Sequence, residues 1–202
     1  MAEKERFLSK QDVYQGKIFS VEKRQVELAD GSQAQRDIVH HALAVGILPL
    51  VDADHAILVR QWRAAADDFV LEIPAGKVDS RDHGNEEEAA RQAAIRELNE
   101  EIRFHPGSLT KFATVYEAIG FTDARIALYL ATDMTALANA EQLPQDHGES
   151  LDLLTVSYDE MTALYQRGEL NDQKTLTAYF YWTNWRLTNG KQSFFHPVTA
   201  KS

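Results

Sequence analysis

The sequence predicts an α/β fold: an α/β/α sandwich, in which a mixed sheet has helices on both sides, with an N-terminal β-rich arm. Two observations lead to this prediction. Apolar runs of strand length, bounded by turn residues, recur along most of the chain. Stretches with helical periodicity lie among and after these runs, at about 85–103, 158–167 and 172–186.

The strands are predicted in order from the amino end. Two lie within residues 13–28 and precede a turn near Asp30-Gly31. The polar residues 133–148 predict a loop. The remaining strands are predicted at 42–51, 56–62, 69–73, about 111–117, 125–132 and 151–156.

The first helix is predicted from an apolar stripe that repeats every fourth residue and can pack on a core. This stripe consists of Ala90, Ala94, Leu98 and Ile102. Of the two later helices, the first has Asp159 near its start and Gly168 just past its end, as helix boundary residues often are.

Composition and charge narrow the functional classes. The 202 residues carry a formal net charge of −10, which argues against partners such as nucleic acid or an anionic membrane. The sequence has no run of about 18 apolar residues, so no membrane span is predicted. The N-terminus lacks the apolar stretch of a signal peptide. Without cysteine there is no disulfide framework or thiolate metal site. A cytoplasmic protein is expected.

Three glutamates of the first helix, Glu97, Glu100 and Glu101, are spaced so that they share one helix face. Close carboxylates repel one another unless a cation lies between them, and Mg²⁺ prefers oxygen ligands. Arg96 stands four residues before Glu100 and could orient its carboxylate. The pattern therefore suggests a metal platform, although a solvated acidic face would have the same composition.

The residues around these glutamates form a pattern that is more specific than the spacing of the glutamates alone. Glu88 is followed by seven residues and then by 96–101 (RELNEE), with Phe104 closing the pattern. This resembles the Nudix box, G-x5-E-x7-R-E-U-x-E-E-x-G-U, in which U is a bulky aliphatic or aromatic residue. The resemblance implies a metal-dependent hydrolase of pyrophosphate bonds.

Two positions depart from the box. Asp82 stands where the box begins with glycine, and Gly76 is the candidate for that glycine. Residues 80–87 would then form a longer, polar surface loop. Arg103 replaces the glycine that ends the helix. Because arginine takes a positive φ less readily than glycine, the helix end is expected to be rebuilt, with Pro106-Gly107 as the stop.

Beyond the box, the chain resembles the ADP-ribose pyrophosphatase branch of the Nudix hydrolases. The matching stretches are 14–19 (YQGKIF), 58–63 (LVRQWR), 71–76 (LEIPAG), 120–123 (GFTD) and 168–175 (GELNDQKT). The resemblance implies three parts: an N-terminal β-rich arm over 1–42, a Nudix domain over 43–190 and an irregular tail over 191–202. It also implies a homodimer in which the arm helps to build each site.

The branch also implies roles for particular residues. Metal, as Mg²⁺ or Mn²⁺, would be held by the Ala75 carbonyl, Glu97 and Glu101, with Glu100 assisting. Arg63 would contact substrate phosphates, where the alternative is a surface ion pair. Glu72 would face the site or cap a strand end.

A base is also expected after the box. Glu149 lies where many of these enzymes carry a catalytic loop glutamate; otherwise it is a solvated loop residue, and a helix glutamate is the base. His147 beside it is predicted to be an exposed loop histidine. Tyr14 and Phe19 either stack on a nucleobase or belong to the core.

One residue bears on the substrate. The branch has proline where this chain has Ile119, which weakens the case for ADP-ribose relative to the case for hydrolysis. ADP-ribose, split into AMP and ribose 5-phosphate, is the first expectation. Other nucleotide sugars, dinucleotides, nucleoside triphosphates and a noncatalytic nucleotide-sensing module are the alternatives.

Overall fold

The computed structural model describes residues 3–145, 148 and 150–188. The chain divides into two compact units. Unit 1 consists of residues 1–43 and 115–126, and unit 2 of residues 44–114 and 127–202. The predicted tail, 191–202, lies outside the described residues.

Unit 1 is built on an antiparallel three-stranded sheet. Its strands are β1 (Arg6–Gln15), β2 (Phe19–Glu27) and β3 (Gln33–His41), in that order across the sheet. A turn at Gly31, where φ is +81°, connects β2 to β3. The turn and the second strand within 13–28 are confirmed, whereas the first strand begins at Arg6, well before the predicted residue 13. Strand β3 was not predicted because its first half, Gln33–Asp37, is almost entirely polar.

Unit 2 contains most of the sheet structure. A four-stranded sheet has the order β7-β4-β9-β8, and a three-stranded sheet has the order β10-β5-β6. The strands are β4 (Ala44–Pro49), β5 (His55–Arg63), β6 (Asp68–Glu72), β7 (Ala75–Lys77), β8 (Phe104–Tyr116), β9 (Arg125–Ala136) and β10 (Asp152–Ser157). The short strand β7 was not predicted, since three residues carry too little pattern.

The helices cover these sheets. α1 (Glu86–Glu97) packs on β4 and β7, α2 (Tyr158–Gln166) on β10, and α3 (Gln173–Leu187) on β4 and β6. Between the helices and the sheets lies a core of fully buried aliphatic and aromatic side chains, whose removal from water favours folding. It includes Ile47, Leu58, Ile73, Leu98 and Trp182. The α/β fold class is therefore confirmed.

The predicted loop at 133–148 begins later than expected. Strand β9 continues to Ala136 and is followed by a 3₁₀ turn at Asn139–Glu141. Gly168, the predicted helix stop, has φ of +73° directly after α2 and Arg167. Among the described residues, no helix is long and apolar enough to cross a membrane.

A histidine joins two carboxylates inside unit 1. His40 on β3 lies 2.6 Å from Asp123 through Nδ1 and 3.3 Å from Glu22 through Nε2. Glu22 also pairs with Lys10 and Arg24. The hydrogen bond to Asp123 raises the pKa of His40 above its ordinary value, against burial. Burial would raise the pKa of both carboxyls, but their cationic partners hold it below the ordinary range.

We expect unit 1 to lose stability as the pH rises past neutrality. A histidine whose folded pKa lies above its unfolded value stabilises the fold fully below about pH 6.5 and ceases to do so as pH rises through the folded pKa. His40→Gln should therefore lower the unfolding midpoint more at pH 6 than at pH 9. Thermal unfolding across this range measures the difference. The control is His105→Gln, at an exposed position on β8, and parallel curves for wild type and His40→Gln would contradict the expectation.

Candidate active site

The box helix α1 begins with a reciprocal capping box. The Asn85 side chain accepts hydrogen bonds from the backbone N–H groups of Glu87 and Glu88, at 3.0 and 3.1 Å. The Glu88 carboxylate accepts one from the Asn85 N–H at 2.9 Å. These bonds satisfy donors that a helix start leaves open. The first glutamate of the box therefore fixes where the helix begins.

The three later glutamates of the box are buried. Glu97 is the last residue of α1, and Glu100 and Glu101 belong to a wider π-helical turn, Leu98–Ile102. Their exposed fractions are 7%, 3% and 3%. A solvated acidic face would leave them exposed, so the structure excludes that alternative.

Two of these carboxylates meet the backbone of β7. The Ala75 N–H donates to Glu101 Oε2 at 3.2 Å. A Cβ built on Gly76 would overlap the carboxylate of Glu97. Gly76 therefore allows a close approach of the strand and this side chain, which an alanine would prevent.

Arg96 lies among the carboxylates and is itself buried. Its NH1 donates to Glu97 at 2.7 Å and to Glu100 at 2.8 Å, and its NH2 donates to the Lys77 carbonyl at 2.9 Å. Burial alone would lower the pKa of this guanidinium, but hydrogen bonding to Asp82 and the charge of Glu97 raise it well above the ordinary value. A permanent cation thus holds Glu97 and Glu100 together, and its pairing with Glu100 agrees with the spacing of four residues.

The loop before α1 takes part in this network. Asp82, at the position of the missing glycine, is buried and accepts from Arg96 NH2 at 3.0 Å and from the Asp79 N–H at 3.0 Å. The prediction of a simple polar surface loop over 80–87 is therefore wrong for Asp82. The carboxylate turns inward because it neutralises a buried guanidinium.

Arg81 reaches the same network from the loop. Its NH1 donates to Glu100 Oε1 at 3.0 Å, and its Nε and NH2 pair with the carboxylate of Asp79. The hydrogen bonds from Arg81 lower the pKa of Asp79 to about 2, against the opposing effect of burial. Both carboxylate oxygens of Glu100 thus meet a guanidinium, one from Arg81 and one from Arg96.

A second ionic cluster joins the ends of β5 and β6 to α3. Arg63 donates to Glu72 through Nε at 2.5 Å and through NH2 at 2.6 Å. Lys174 forms ion pairs with Glu72 and with Asp172, the latter at 3.0 Å. Burial would raise the pKa of Glu72, but Arg63 and Lys174 lower it below the ordinary value.

This cluster is electrostatically coupled to the box. The pKa of Arg63 is raised, first by its hydrogen bonds to Glu72 and also by the charges of Asp172 and Glu101. Glu72 thus faces Arg63 and fixes its guanidinium. The pair uses Nε and one of the two terminal nitrogens of Arg63.

The end of the box helix differs from the expectation. Arg103 itself adopts the left-handed conformation, with φ of +66°, and Pro106-Gly107 lie within β8. The predicted stop at Pro106-Gly107 is therefore wrong. The Arg103 side chain donates to the carbonyls of Asn99, at 3.2 Å, and Leu143. These contacts offset the backbone cost of a non-glycine residue there.

The donor set around β7 fits a hard divalent ion. The carboxylates of Glu97 and Glu101 are both held at the Ala75-Gly76 backbone, and carboxylate and carbonyl oxygens are the ligands that Mg²⁺ prefers. Within residues 3–145, 148 and 150–188, no three acidic or histidine side chains are arranged as a group that could hold a metal ion. Metal ligation by Ala75, Glu97, Glu100 and Glu101 stays a prediction.

Sequence reasoning missed part of the site. Asp79, Arg81, Asp82 and Lys174 were not selected, although Lys174 lies in the matching stretch 168–175. The charge alternation Asp79-x-Arg81-Asp82 just before a box with a missing glycine was the available signal. Glu149 and His147, by contrast, lie outside the described residues.

Comparison with known proteins agrees with this geometry. The family model of the NUDIX domain matches residues 40–179. The ADP-ribose pyrophosphatase of Bacillus subtilis (strain 168) is 32% identical over 177 residues, which cover 88% of this chain and 91% of that protein. The chain therefore belongs to the Nudix family. It is a Nudix hydrolase similar to the ADP-ribose pyrophosphatases.

Other relatives are more distant or carry different names. The ADP compounds hydrolase NudE of Escherichia coli (strain K12) is 26% identical over 94% of this chain and 97% of that protein. The methanol dehydrogenase activator of Bacillus methanolicus is 28% identical over 88% and 91%. A crystal structure of an ADP compounds hydrolase superposes with a TM-score of 0.80 at 24% identity, over 95% of this chain and 99% of that one, which confirms the fold.

Gly76→Ala should damage activity more than stability. The added Cβ would displace the Glu97 carboxylate, and a misplacement of about 1 Å in such a site costs roughly 100-fold in turnover. The matched control is Gly107→Ala on β8, whose added Cβ would meet Asp133 Cβ at 2.8 Å rather than a box carboxylate.

Both variants are expected to lose about 1–3 kcal/mol of unfolding free energy from overpacking. Only Gly76→Ala should lose specific activity in pyrophosphate hydrolysis, measured per folded molecule after denaturant titration. Equal specific activities in the two variants would show that the close approach of Glu97 to β7 does not matter for the reaction.

Proposed function

We propose that this Nudix hydrolase cleaves the pyrophosphate bond of a nucleoside diphosphate linked to a sugar, with ADP-ribose as its preferred substrate. The products are AMP and ribose 5-phosphate. The observation that carries the proposal is the convergence of the buried Glu97 and Glu101 on the Ala75-Gly76 backbone. The printed names of two relatives, an ADP-ribose pyrophosphatase and an ADP compounds hydrolase, support this substrate class.

In this proposal Glu97, Glu101 and the Ala75 carbonyl hold Mg²⁺, or Mn²⁺, with Glu100 assisting. A bound divalent ion would neutralise charge on the diphosphate and lower the pKa of a coordinated water. The chain supplies position and charge. Arg96 keeps Glu97 and Glu100 in fixed orientations, at 2.7 and 2.8 Å, so that little reorganisation is needed when substrate arrives.

Arg63 is the proposed phosphate-binding residue. Its Nε and NH2 are held by Glu72, which in turn is neutralised by Lys174. A guanidinium fixed in this way loses little side-chain entropy on binding a phosphate oxygen. The proton of the attacking water would pass to Glu149 or to a glutamate of the box helix.

The substrate preference has two competing alternatives. Ile119, which stands where the branch has proline, is 73% exposed in unit 1, and another nucleotide sugar or a dinucleotide would leave the chemistry unchanged. A noncatalytic nucleotide-sensing module is the second alternative. It is considered because one relative of similar identity is named a methanol dehydrogenase activator and not a pyrophosphatase. Retention of the box carboxylates favours catalysis.

A cytoplasmic homodimer completes the proposal, with the N-terminal arm joining the two copies. Tyr14 and Phe19 of this arm are exposed and pack together with ring centroids 5.2 Å apart. They are therefore available to a nucleobase or to a second copy of the chain, and they do not belong to the core of unit 1.

The proposal is tested with a substrate panel. Release of the nucleoside monophosphate from ADP-ribose, ADP-glucose, NADH, diadenosine polyphosphates and nucleoside triphosphates is measured with Mg²⁺ and with EDTA. We expect metal-dependent AMP release, fastest from ADP-ribose. Glu101→Gln should lower kcat by about 100-fold or more, since it removes a charged ligand at the metal.

The other outcomes are distinct. Preference for another substrate would retain the reaction and reject ADP-ribose. No turnover with any substrate, together with tight nucleotide binding by wild type and Glu101→Gln alike, would reject catalysis in favour of the sensing module. The control outside the site is Glu169→Gln, which removes one exposed carboxylate paired with Arg167.

A further inference from the structure

Glu100 is held differently from the other box glutamates. Arg96 donates to its Oε2 at 2.8 Å and Arg81 donates to its Oε1 at 3.0 Å. Arg96 is part of the box, whereas Arg81 comes from the loop that carries Asp82 in place of the box glycine. This second guanidinium is therefore a feature of this chain's own loop.

The contact from Arg81 is built into the local structure. Asp79 accepts from the Arg81 backbone N–H at 2.8 Å, from Nε at 3.0 and 3.1 Å, and from NH2 at 2.7 Å. The Asp79 N–H in turn donates to the buried Asp82 at 3.0 Å. With Nε and NH2 occupied by Asp79, the remaining terminal nitrogen, NH1, is the one that meets Glu100. The guanidinium is thus oriented before any ligand arrives.

The burial of the two partners is unequal. The side chain of Arg81 is 47% exposed, whereas that of Glu100 is 5% exposed. A surface ion pair contributes little because solvent screens it, but a buried carboxylate without partners carries a large desolvation cost. The chief effect of Arg81 is therefore on the buried carboxylate of Glu100, and not on the stability that a surface ion pair would add. Arg81 keeps this carboxylate paired and directed at two guanidinium groups.

We propose that Arg81 is a positioning residue that holds Glu100 on the two arginines and away from the metal. The inference rests on the proposed function and refines the assisting role of Glu100 in it. Glu97, Glu101 and the Ala75 carbonyl bind the divalent ion directly, whereas Glu100 supports the site from its two arginines and is not a direct ligand. The positive charge of Arg81 then weakens metal binding, while the fixed Glu100 keeps the catalytic arrangement uniform. Loss of Arg81 leaves Glu100 held by Arg96 alone and frees its Oε1 as an additional ligand atom, which tightens metal binding and slows turnover.

The opposite directions of these two effects make the test specific. In Arg81→Ala, Mn²⁺ binding without substrate, measured by isothermal titration calorimetry, should tighten by about fivefold or more because a nearby positive charge is gone. The kcat for the substrate turned over by wild type should fall by about tenfold, because Glu100 is no longer held in position, while KM changes less than about threefold.

Arg81→Lys serves as the conservative variant. An ammonium cannot pair with Asp79 through two nitrogens and reach Glu100 with a third, so we expect a fall in kcat with Mn²⁺ affinity close to that of wild type. This variant also replaces Arg81→Ala in the kinetic comparison should the latter unfold, as judged by circular dichroism.

Arg60→Ala is the matched control for charge. Arg60 is another half-exposed arginine of unit 2 and forms an ion pair with Asp152 at 2.7 Å. Its removal changes the net charge equally, and Mn²⁺ affinity and kcat should both stay within twofold of wild type.

The results separate this inference from the proposed function. Unchanged or weaker Mn²⁺ binding in folded Arg81→Ala, or unchanged kcat in folded Arg81→Lys, overturns the role of Arg81. Tighter Mn²⁺ binding in Arg81→Ala, in a protein whose wild type hydrolyses none of the panel, supports the effect of Arg81 on the metal and rejects the proposed function.

Discussion

The structure of the site depends on one buried guanidinium. Glu97 and Glu100 are both directed at Arg96, and Asp82 meets it from the loop. Without this cation, the desolvated carboxylates would repel one another and protonate or turn outward. Removing one partner of such a network leaves an uncompensated buried charge, which is why its members must be present together. The rest of the site is arranged around this constraint.

The fold provides the matching backbone. Strand β7 is only three residues long, yet α1 packs on it, and its Gly76 permits the contact with Glu97. On the other side of the box, the bidentate pair of Arg63 and Glu72 ties the ends of β5 and β6 together. The box carboxylates and Arg63, the proposed phosphate-binding residue, thus lie on regular elements, which hold a site more rigidly than loops do.

The sequence allowed the fold class, most strands, the three α-helices of the described residues and the box carboxylates to be predicted, because each has a local pattern. The partners of those carboxylates have none. Asp82 and Arg81 look like ordinary polar loop residues until tertiary structure places them beside Arg96 and Glu100. Likewise, a left-handed arginine at position 103 is unfavourable by backbone preference alone, and its side-chain contacts with the Asn99 and Leu143 carbonyls explain it.

That arginine has a consequence for how this chain tolerates change. The Arg103 carbonyl accepts from Leu137, its guanidinium donates to Leu143, and the Asn99 amide bonds to the backbone at Glu141 and Leu143. The end of the box helix is therefore the anchor for the segment that leads away from β9. Replacing Arg103 with the glycine of the box pattern would ease the backbone but remove the guanidinium contacts with the Asn99 and Leu143 carbonyls, so consensus design is a poor guide to thermostability here.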